Sequence, residues 1–101
     1  MRVKLIRYEI ERKRNVFGKV ISCRYEYIIT MKRLFKRPTY LRLLPGWEAA
    51  LKDGKPVGAE LTRARYNATT FRENNNGQRD LESANLVIAA LKENPDKFII
   101  Q

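Results

Sequence analysis

Two groups of cations beside apolar and aromatic side chains are the part of this sequence best suited to a specific chemistry. The first group surrounds the pair Val16-Phe17 and consists of Arg12, Lys13, Arg14 and Lys19. The second group consists of Lys32, Arg33, Lys36 and Arg37, and Arg24 lies between the two groups. Lysine and arginine contact phosphates, and an exposed aromatic ring such as Phe17 stacks on a base. The pattern predicts a nucleic-acid interface; the alternative is that Phe17 folds back onto a strand residue such as Tyr8.

The positive charge of the chain is concentrated in its first third. Of the net charge of +10, residues 1–37 carry +9, from twelve basic and three acidic residues. Residues 38–101 contain nine basic and eight acidic residues, a net charge of +1. Such an uneven distribution is typical of a surface that meets a polyanion or an acidic protein. The alternative is a solubilising surface that has no partner.

Residues that commonly perform catalysis are absent or scattered. The sequence has no histidine, and its single cysteine, Cys23, has the strand parity of a buried and therefore inert thiol. It also has no glycine-rich phosphate loop and no nucleophile elbow. Pro95-Asp96 matches the opening of one nuclease signature, but no acidic-x-Lys pair follows it. We expect no enzymatic activity, no cofactor and no metal site, while a metal-free RNA-cleaving site built from Tyr, Arg and Lys stays open.

The longest consistent pattern lies in residues 20–35 and predicts the central strand. Its apolar side contains Ile21, Cys23, Tyr25, Tyr27, Ile29 and Met31. From Ser22 to Lys32 the other side is polar except for Ile28. This alternation is typical of a strand with one buried and one solvated face. At about 3.3 Å per residue, the segment from Ile21 to Met31 would span roughly 36 Å, which is long for a globular domain.

Residues 3–10 predict a first strand that forms a hairpin with the long strand. The apolar parity changes between Leu5 and Ile6, which predicts a β-bulge at that point. Asn15 and Gly18 tolerate positive φ, so residues 11–19 should form the tip of the hairpin. The hairpin is long enough to extend beyond a packed core.

The middle of the chain has weaker signals. Thr39–Leu44 lies between Pro38 and Pro45, which predicts a short edge strand. Residues 46–54 fit either a short helix or a hairpin whose return strand contains Val57, Ala59 and Leu61. The turn signal Asp53-Gly54 favours the hairpin. Residues 72–79 are predicted to form a loop.

The C-terminal third contains one clear helix, predicted over residues 80–93. Its apolar stripe contains Leu81, Ala84, Val87, Ile88 and Leu91. Asp80 is the predicted N-cap, and Asn94-Pro95 ends the helix. The helix should cover the sheet face that carries Tyr25, Tyr27 and Ile29. The final apolar run, residues 98–100, either pairs with the sheet or seals the base of the helix.

These patterns predict one α+β domain over residues 1–101. We expect a mostly antiparallel β-sheet built on a long N-terminal hairpin, with one C-terminal helix packed on one face. Since the sequence has neither an apolar run of membrane length nor a signal-peptide core, we expect a cytoplasmic protein without a membrane partner. The favoured function is a small non-enzymatic protein that binds DNA or RNA. The alternative is an inhibitor, adaptor or assembly subunit, of the kind that phages and mobile elements encode, which docks on an acidic protein or on a second copy of itself.

Overall fold

One long antiparallel hairpin is the spine of the computed structural model, which describes residues 2–72 and 77–100 without the side chains of 77–80. In chain order the α-helices and strands are β1 (Arg2–Arg14), β2 (Val20–Lys32), β3 (Thr39–Leu43), α1 (Trp47–Lys52), β4 (Val57–Thr62), β5 (Phe71–Arg72), α2 (Gly77–Glu93) and β6 (Phe98–Ile100). Two short 3₁₀ helices cover Arg65–Asn67 and Pro95–Lys97. The described strands form one sheet in the order β1-β2-β3-β4-β6, and β5 pairs with β2. All pairings are antiparallel except β4 with β6. The predicted α+β class, with its N-terminal hairpin, is confirmed.

The core lies between one face of the sheet and α2, as predicted. The sheet contributes Ile29, Met31, Leu41, Leu43, Val57, Ala59, Phe71 and Phe98, and α2 contributes Ala84, Val87 and Leu91. Each large apolar side chain buried here stabilises the fold by about 1.5–3 kcal/mol. Tyr27 and Ile29 belong to this core, but Tyr25 does not. Tyr25 is half-buried, and the guanidinium of Arg7 lies 4.7 Å from the centre of its ring.

The pairing of β1 with β2 is unbroken from Arg2 to Glu9, so the bulge predicted near Leu5 and Ile6 is wrong. The apolar parity changes there because this part of the hairpin has apolar side chains on both faces. Leu5 packs against the core beneath α2. Ile6 lies opposite the fully buried Ile28, on the other face of the sheet.

The distal half of the hairpin, residues 10–24, extends beyond the core and is called the arm below. Its pairing contains two irregularities, at Ile10 in β1 and at Ile21 in β2. α2 has 17 residues and is about 25 Å long, whereas each 13-residue strand spans about 40 Å, so the helix covers only part of the hairpin. The molecule is consequently 52 Å long, and its radius of gyration is 15.5 Å, against about 13 Å for a globular domain of this size.

Two strands differ from their predicted ends or positions. β2 ends three residues before Phe35, because residues 33–36 form a turn instead of continuing the strand. β3 is an inner strand between β2 and β4, so the predicted edge position is wrong. Pro38 and Pro45 do not interrupt its pairing, since both lie outside the strand.

The segment after β3 is the helix α1, so the favoured hairpin interpretation is wrong. Trp47, Ala50 and Leu51 recur at helical spacing and pack against the core. The helix ends where Gly54 adopts a φ of +70° and the Lys55 N–H donates a 2.9 Å hydrogen bond to the Ala50 carbonyl. The residues predicted for the return strand do form a strand, β4, but it pairs with β3 and β6 and not with residues 46–53.

The predicted C-terminal helix has the correct end but the wrong beginning. α2 begins at Gly77, so Asp80 lies inside the helix and its predicted N-cap role is wrong, while the end at Glu93 is as predicted. Of the predicted loop, Arg72 belongs to β5 and residues 77–79 belong to α2; residues 73–76 lie outside the described residues. β6 pairs in parallel with β4, so the final apolar run joins the sheet.

Candidate nucleic-acid interface

The hairpin separates the interface residues predicted from the sequence into two sets. The arm and its tip carry Arg12, Lys13, Arg14, Phe17, Lys19 and Arg24, and the opposite end of β2 carries Lys32, Arg33, Lys36 and Arg37. The two ends are separated by the length of the strand, about 40 Å. The ten residues therefore do not form one patch, and the two ends of the hairpin are two separate surfaces.

The tip of the arm is a tight turn that holds apolar side chains in solvent. The side-chain oxygen of Asn15 accepts hydrogen bonds from the backbone N–H groups of Phe17 (2.9 Å) and Lys19 (3.0 Å). Gly18 supplies a φ of +78°, as its position in the sequence predicted. The side chain of Phe17 is 90% exposed, so the alternative in which it folds back onto Tyr8 is wrong.

Three cations of the arm have acidic partners. Arg12 forms a bidentate pair with Glu9, at 2.6 and 2.9 Å. The hydrogen bonds from Arg12 hold the pKa of Glu9 below its usual value. Glu11 lies 3.4 Å from Arg24 and 3.7 Å from Lys13. These two carboxylates offset part of the positive charge that the sequence places on the arm.

The turn after β2 carries the second set of cations, and Arg2 joins it. The register places Arg2 opposite Lys32. Five exposed cations therefore gather at this end of the hairpin and are called the turn cluster: Arg2, Lys32, Arg33, Lys36 and Arg37. All except Arg37 line one open depression together with Leu34 and Phe35. Sequence reasoning missed Arg2, because only the strand register brings it to the turn.

No acidic side chain neutralises the turn cluster within the part of the chain that the structure describes. Its five cations form no ion pair with any described carboxylate, in contrast to Arg12, Lys13 and Arg24 of the arm. An array of exposed cations without counter-charges attracts polyanions through its summed field. The turn cluster therefore carries more uncompensated positive charge than the arm does.

Leu34 and Phe35 protrude from the middle of the turn cluster. A hydrogen bond of 3.2 Å from the Lys36 N–H to the Arg33 carbonyl closes a four-residue turn, with Phe35 in its third position. Phe35 has a φ of +61°, the one positive φ of a non-glycine residue in the described chain. The side chains of Leu34 and Phe35 are 82% and 96% exposed. Sequence reasoning missed both residues because it predicts a strand that continues to Phe35. The similar pair Val16-Phe17, which also lies among cations, was recognised at the arm tip.

A second polar cluster lies on the sheet face opposite α2. One oxygen of Glu26 accepts a 2.8 Å hydrogen bond from the Tyr8 phenol, and the other lies 3.3 Å from Arg72. The guanidinium of Arg65 lies 4.8 Å from the centre of the Tyr8 ring. Burial raises the pKa of Tyr8, and the hydrogen bond and charge of Glu26 raise it further. Because the two oxygens of Glu26 contact side chains of two other strands, this cluster joins β1, β2 and β5.

The described residues contain neither a metal-binding group nor a membrane-length helix. No group of three His, Cys, Asp or Glu side chains among the described residues is arranged to hold a metal ion. Cys23 is half-buried on the arm and does not lie in the core, contrary to the prediction from its strand parity. No helix in the described ranges is long and apolar enough to cross a membrane.

Comparison with known proteins does not assign this chain to a family. No protein-family model matches the chain, and neither a curated protein nor a solved structure matches it. In structural terms it is a small α+β domain with a protruding hairpin arm and a cationic turn at the opposite end of that hairpin.

Proposed function

We propose that this protein is a small, non-enzymatic, cytoplasmic nucleic-acid-binding protein whose main phosphate-binding surface is the turn cluster. The observation that carries the proposal is the set of five exposed cations that have no described acidic partner. Cations that neutralise phosphates release condensed counterions, so binding should weaken steeply as salt is raised. The exposed pair Leu34-Phe35 offers the same surface an apolar contact.

The arm is a second and weaker contact in this proposal. Phe17 is exposed at its tip, close in sequence to Arg14 and Lys19. A two-stranded β-ribbon has dimensions that the major groove of B-DNA admits. Glu9 and Glu11, however, offset the charge of neighbouring arm cations. The two ends of the hairpin should therefore contribute unequally to the affinity.

Fluorescence anisotropy with labelled single- and double-stranded DNA and RNA, at about 50 and 200 mM salt, tests the proposal. One variant combines Arg33→Ser, Lys36→Ser and Arg37→Ser in the turn cluster. Its matched control removes the same charge from the arm, through Arg12→Ser, Lys13→Ser and Arg14→Ser. The turn variant should bind more weakly, and its logarithmic salt slope should be smaller by about 2 to 3, at roughly 0.7–0.9 per lost phosphate contact. The arm variant should change the slope less.

Two outcomes would count against this assignment. If the unaltered protein does not bind any of the four nucleic acids at the lower salt, the proposed function is wrong. If the two triple variants lower affinity and slope equally, the turn cluster has no special role and acts only as part of a general positive field.

An acidic protein is a second candidate partner, favoured by the positive charge of the hairpin together with the edge position of β1. β1 is an edge strand of 13 residues, and an extended segment of another protein can add to such an edge through backbone hydrogen bonds. The same edge could accept a second copy of this chain. Sedimentation over a wide concentration range tests the second copy, and a pull-down from the native host after nuclease treatment tests another protein. Recovery of nucleic acid alone would contradict the protein partner.

A further inference from the structure

The backbone of Phe35 is the unusual feature of the turn cluster. Its φ of +61° lies in the left-handed region, which bulky side chains avoid and which turns normally assign to glycine or asparagine. Residues held in such unfavourable backbone conformations cluster at functional sites, so Phe35 is a candidate functional residue.

Packing does not account for the phenylalanine at this position. Its side chain is 96% exposed and does not belong to the hydrophobic core or to the residues packed against it. The neighbouring Leu34 is also exposed. The turn closed by Lys36 and Arg33 therefore holds an aromatic ring in solvent between cations.

A ring between cations matches the chemistry of an unpaired nucleotide. The face of an aromatic side chain stacks on a base of any sequence, while the surrounding lysines and arginines contact the phosphates on either side. In a duplex the base faces are already stacked on one another, so a projecting ring gains this contact most readily from a single strand. The geometry and charge therefore favour single-stranded nucleic acid over a duplex.

We propose that Phe35 stacks on an unpaired base, so that the preferred ligand of the turn cluster is single-stranded nucleic acid. This inference rests on the proposed nucleic-acid binding and adds the class of ligand and the residue that selects it. Arg33, Lys36 and Arg37 hold the strand through its phosphates, and Phe35 provides the contact that a duplex does not offer.

The variant Phe35→Gly gives a clean test, because glycine adopts a φ of +61° without strain. The variant should be at least as stable as the unaltered protein in urea unfolding, so a loss of binding would not reflect misfolding. Phe17→Gly is the matched control, since it removes an equally exposed ring from the other end of the hairpin. The probes are an oligonucleotide that contains 2-aminopurine, as a single strand and as a duplex.

We expect Phe35→Gly to bind the single strand about 5- to 150-fold more weakly, the range for one lost base-aromatic stack. Its salt slope should be unchanged, because all the cations remain. It should also abolish the change in 2-aminopurine fluorescence on binding, whereas duplex affinity should be unaltered. Phe17→Gly should weaken single-strand binding clearly less than Phe35→Gly does, because the arm is the weaker contact.

Three results would overturn the inference, and they are distinguishable from failure of the proposed function. If the unaltered protein binds nucleic acid and Phe35→Gly binds the single strand equally well, the ring does not stack on a base. If both phenylalanine variants lose affinity equally, Phe35 has no special role. If the unaltered protein binds phosphatidylserine vesicles but not the oligonucleotides, and Phe35→Gly loses that binding, the ring enters a membrane surface. Only this third result would also refute nucleic-acid binding.

Discussion

The phenol of Tyr8 donates a 2.8 Å hydrogen bond to the carboxylate of Glu26, which lies directly opposite it in the β1–β2 pair. Arg72 of β5 lies 3.3 Å from the other oxygen of the same carboxylate. The three side chains thus connect the hairpin to β5 next to the point where the arm leaves the sheet. This connection lies on the face opposite α2, where the guanidinium of Arg65 also lies over the Tyr8 ring.

Replacing Tyr8 with phenylalanine should therefore weaken the fold. The variant Tyr8→Phe removes the donor to a charged acceptor and should lower the free energy of unfolding by about 1 kcal/mol, since the site is only partly buried. Urea unfolding measures this change. Tyr66→Phe is the matched control, because Tyr66 is exposed, and it should alter stability by less than about 0.5 kcal/mol. Equal effects of the two substitutions would show that the bond to Glu26 contributes nothing.

The same hydrogen bond should make the stability fall in alkaline solution. Burial, together with the hydrogen bond and charge of Glu26, raises the pKa of Tyr8 above its ordinary value of about 10. The folded state consequently holds the phenol proton more tightly than the unfolded chain, so this contribution is complete below about pH 10 and is lost as the pH rises through the folded pKa. The free energy of unfolding, measured from about pH 9 to 11, should decline less steeply in Tyr8→Phe.

Some alkaline decline should remain in that variant. The pKa of Tyr25 is also raised, first through its hydrogen bond with Cys23, and it acts in the same direction and pH range. A decline of the same steepness with and without the Tyr8 phenol would contradict the role assigned to Tyr8.

Gly58 in β4 should not tolerate a side chain without cost. A Cβ atom added there would lie 2.9 Å from Cδ1 of Leu44, and the Leu44 N–H donates a 3.0 Å hydrogen bond to the Gly58 carbonyl, which fixes the two backbones. Because this Cδ1 atom is the end of a flexible side chain that can move, Gly58→Ala should lower the free energy of unfolding by only about 1 kcal/mol. In a Leu44→Ala background the same substitution should cost less, because the conflicting atom is gone. A double-mutant cycle in urea without coupling would contradict this explanation.

Two isoleucines of β2 should respond very differently to truncation. Ile28 is 0% exposed, whereas Ile21 in the arm is 63% exposed. Ile28→Ala should lower the free energy of unfolding by about 2–5 kcal/mol, since it leaves a cavity. Ile21→Ala should cost less than about 1 kcal/mol. Similar costs in thermal or urea unfolding would mean that the arm is packed as tightly as the core.

The sequence predicted the main elements because they have strong and regular patterns. Periodicity alone identified β2 from its alternation and α2 from its helical stripe, although β2 is fully buried only at residues 28–31. It failed where apolar residues serve two faces, as with Ile6 and Ile28, whose burial depends on neighbours elsewhere in the sheet. It also could not show how far α2 reaches along the hairpin, and this distance decides whether Tyr25 is in the core.

The candidate site was predicted only in part. The cations of residues 32–37 were identified from composition, but Arg2 reaches them only through the register of β1 with β2. The exposure and left-handed backbone of Phe35 depend on where the strand ends, which the β-favouring residues around it do not specify. Arg24 likewise meets Glu11 only through the register of these two strands. Glu9 pairs with Arg12 although an unbroken strand would place residues three apart on opposite faces.

The arm and the central part of the sheet need not unfold together. Residues 11–24 pair only with each other, and their ladder is irregular at Ile21 and, at its boundary, at Ile10. Residues 26–31 of β2, in contrast, lie between β1 on one side and β5 and β3 on the other. A two-stranded ladder without a packed face is marginal in water. The backbone amides of the arm should therefore exchange hydrogen with solvent through local opening, while those of central β2 exchange only when the whole domain unfolds.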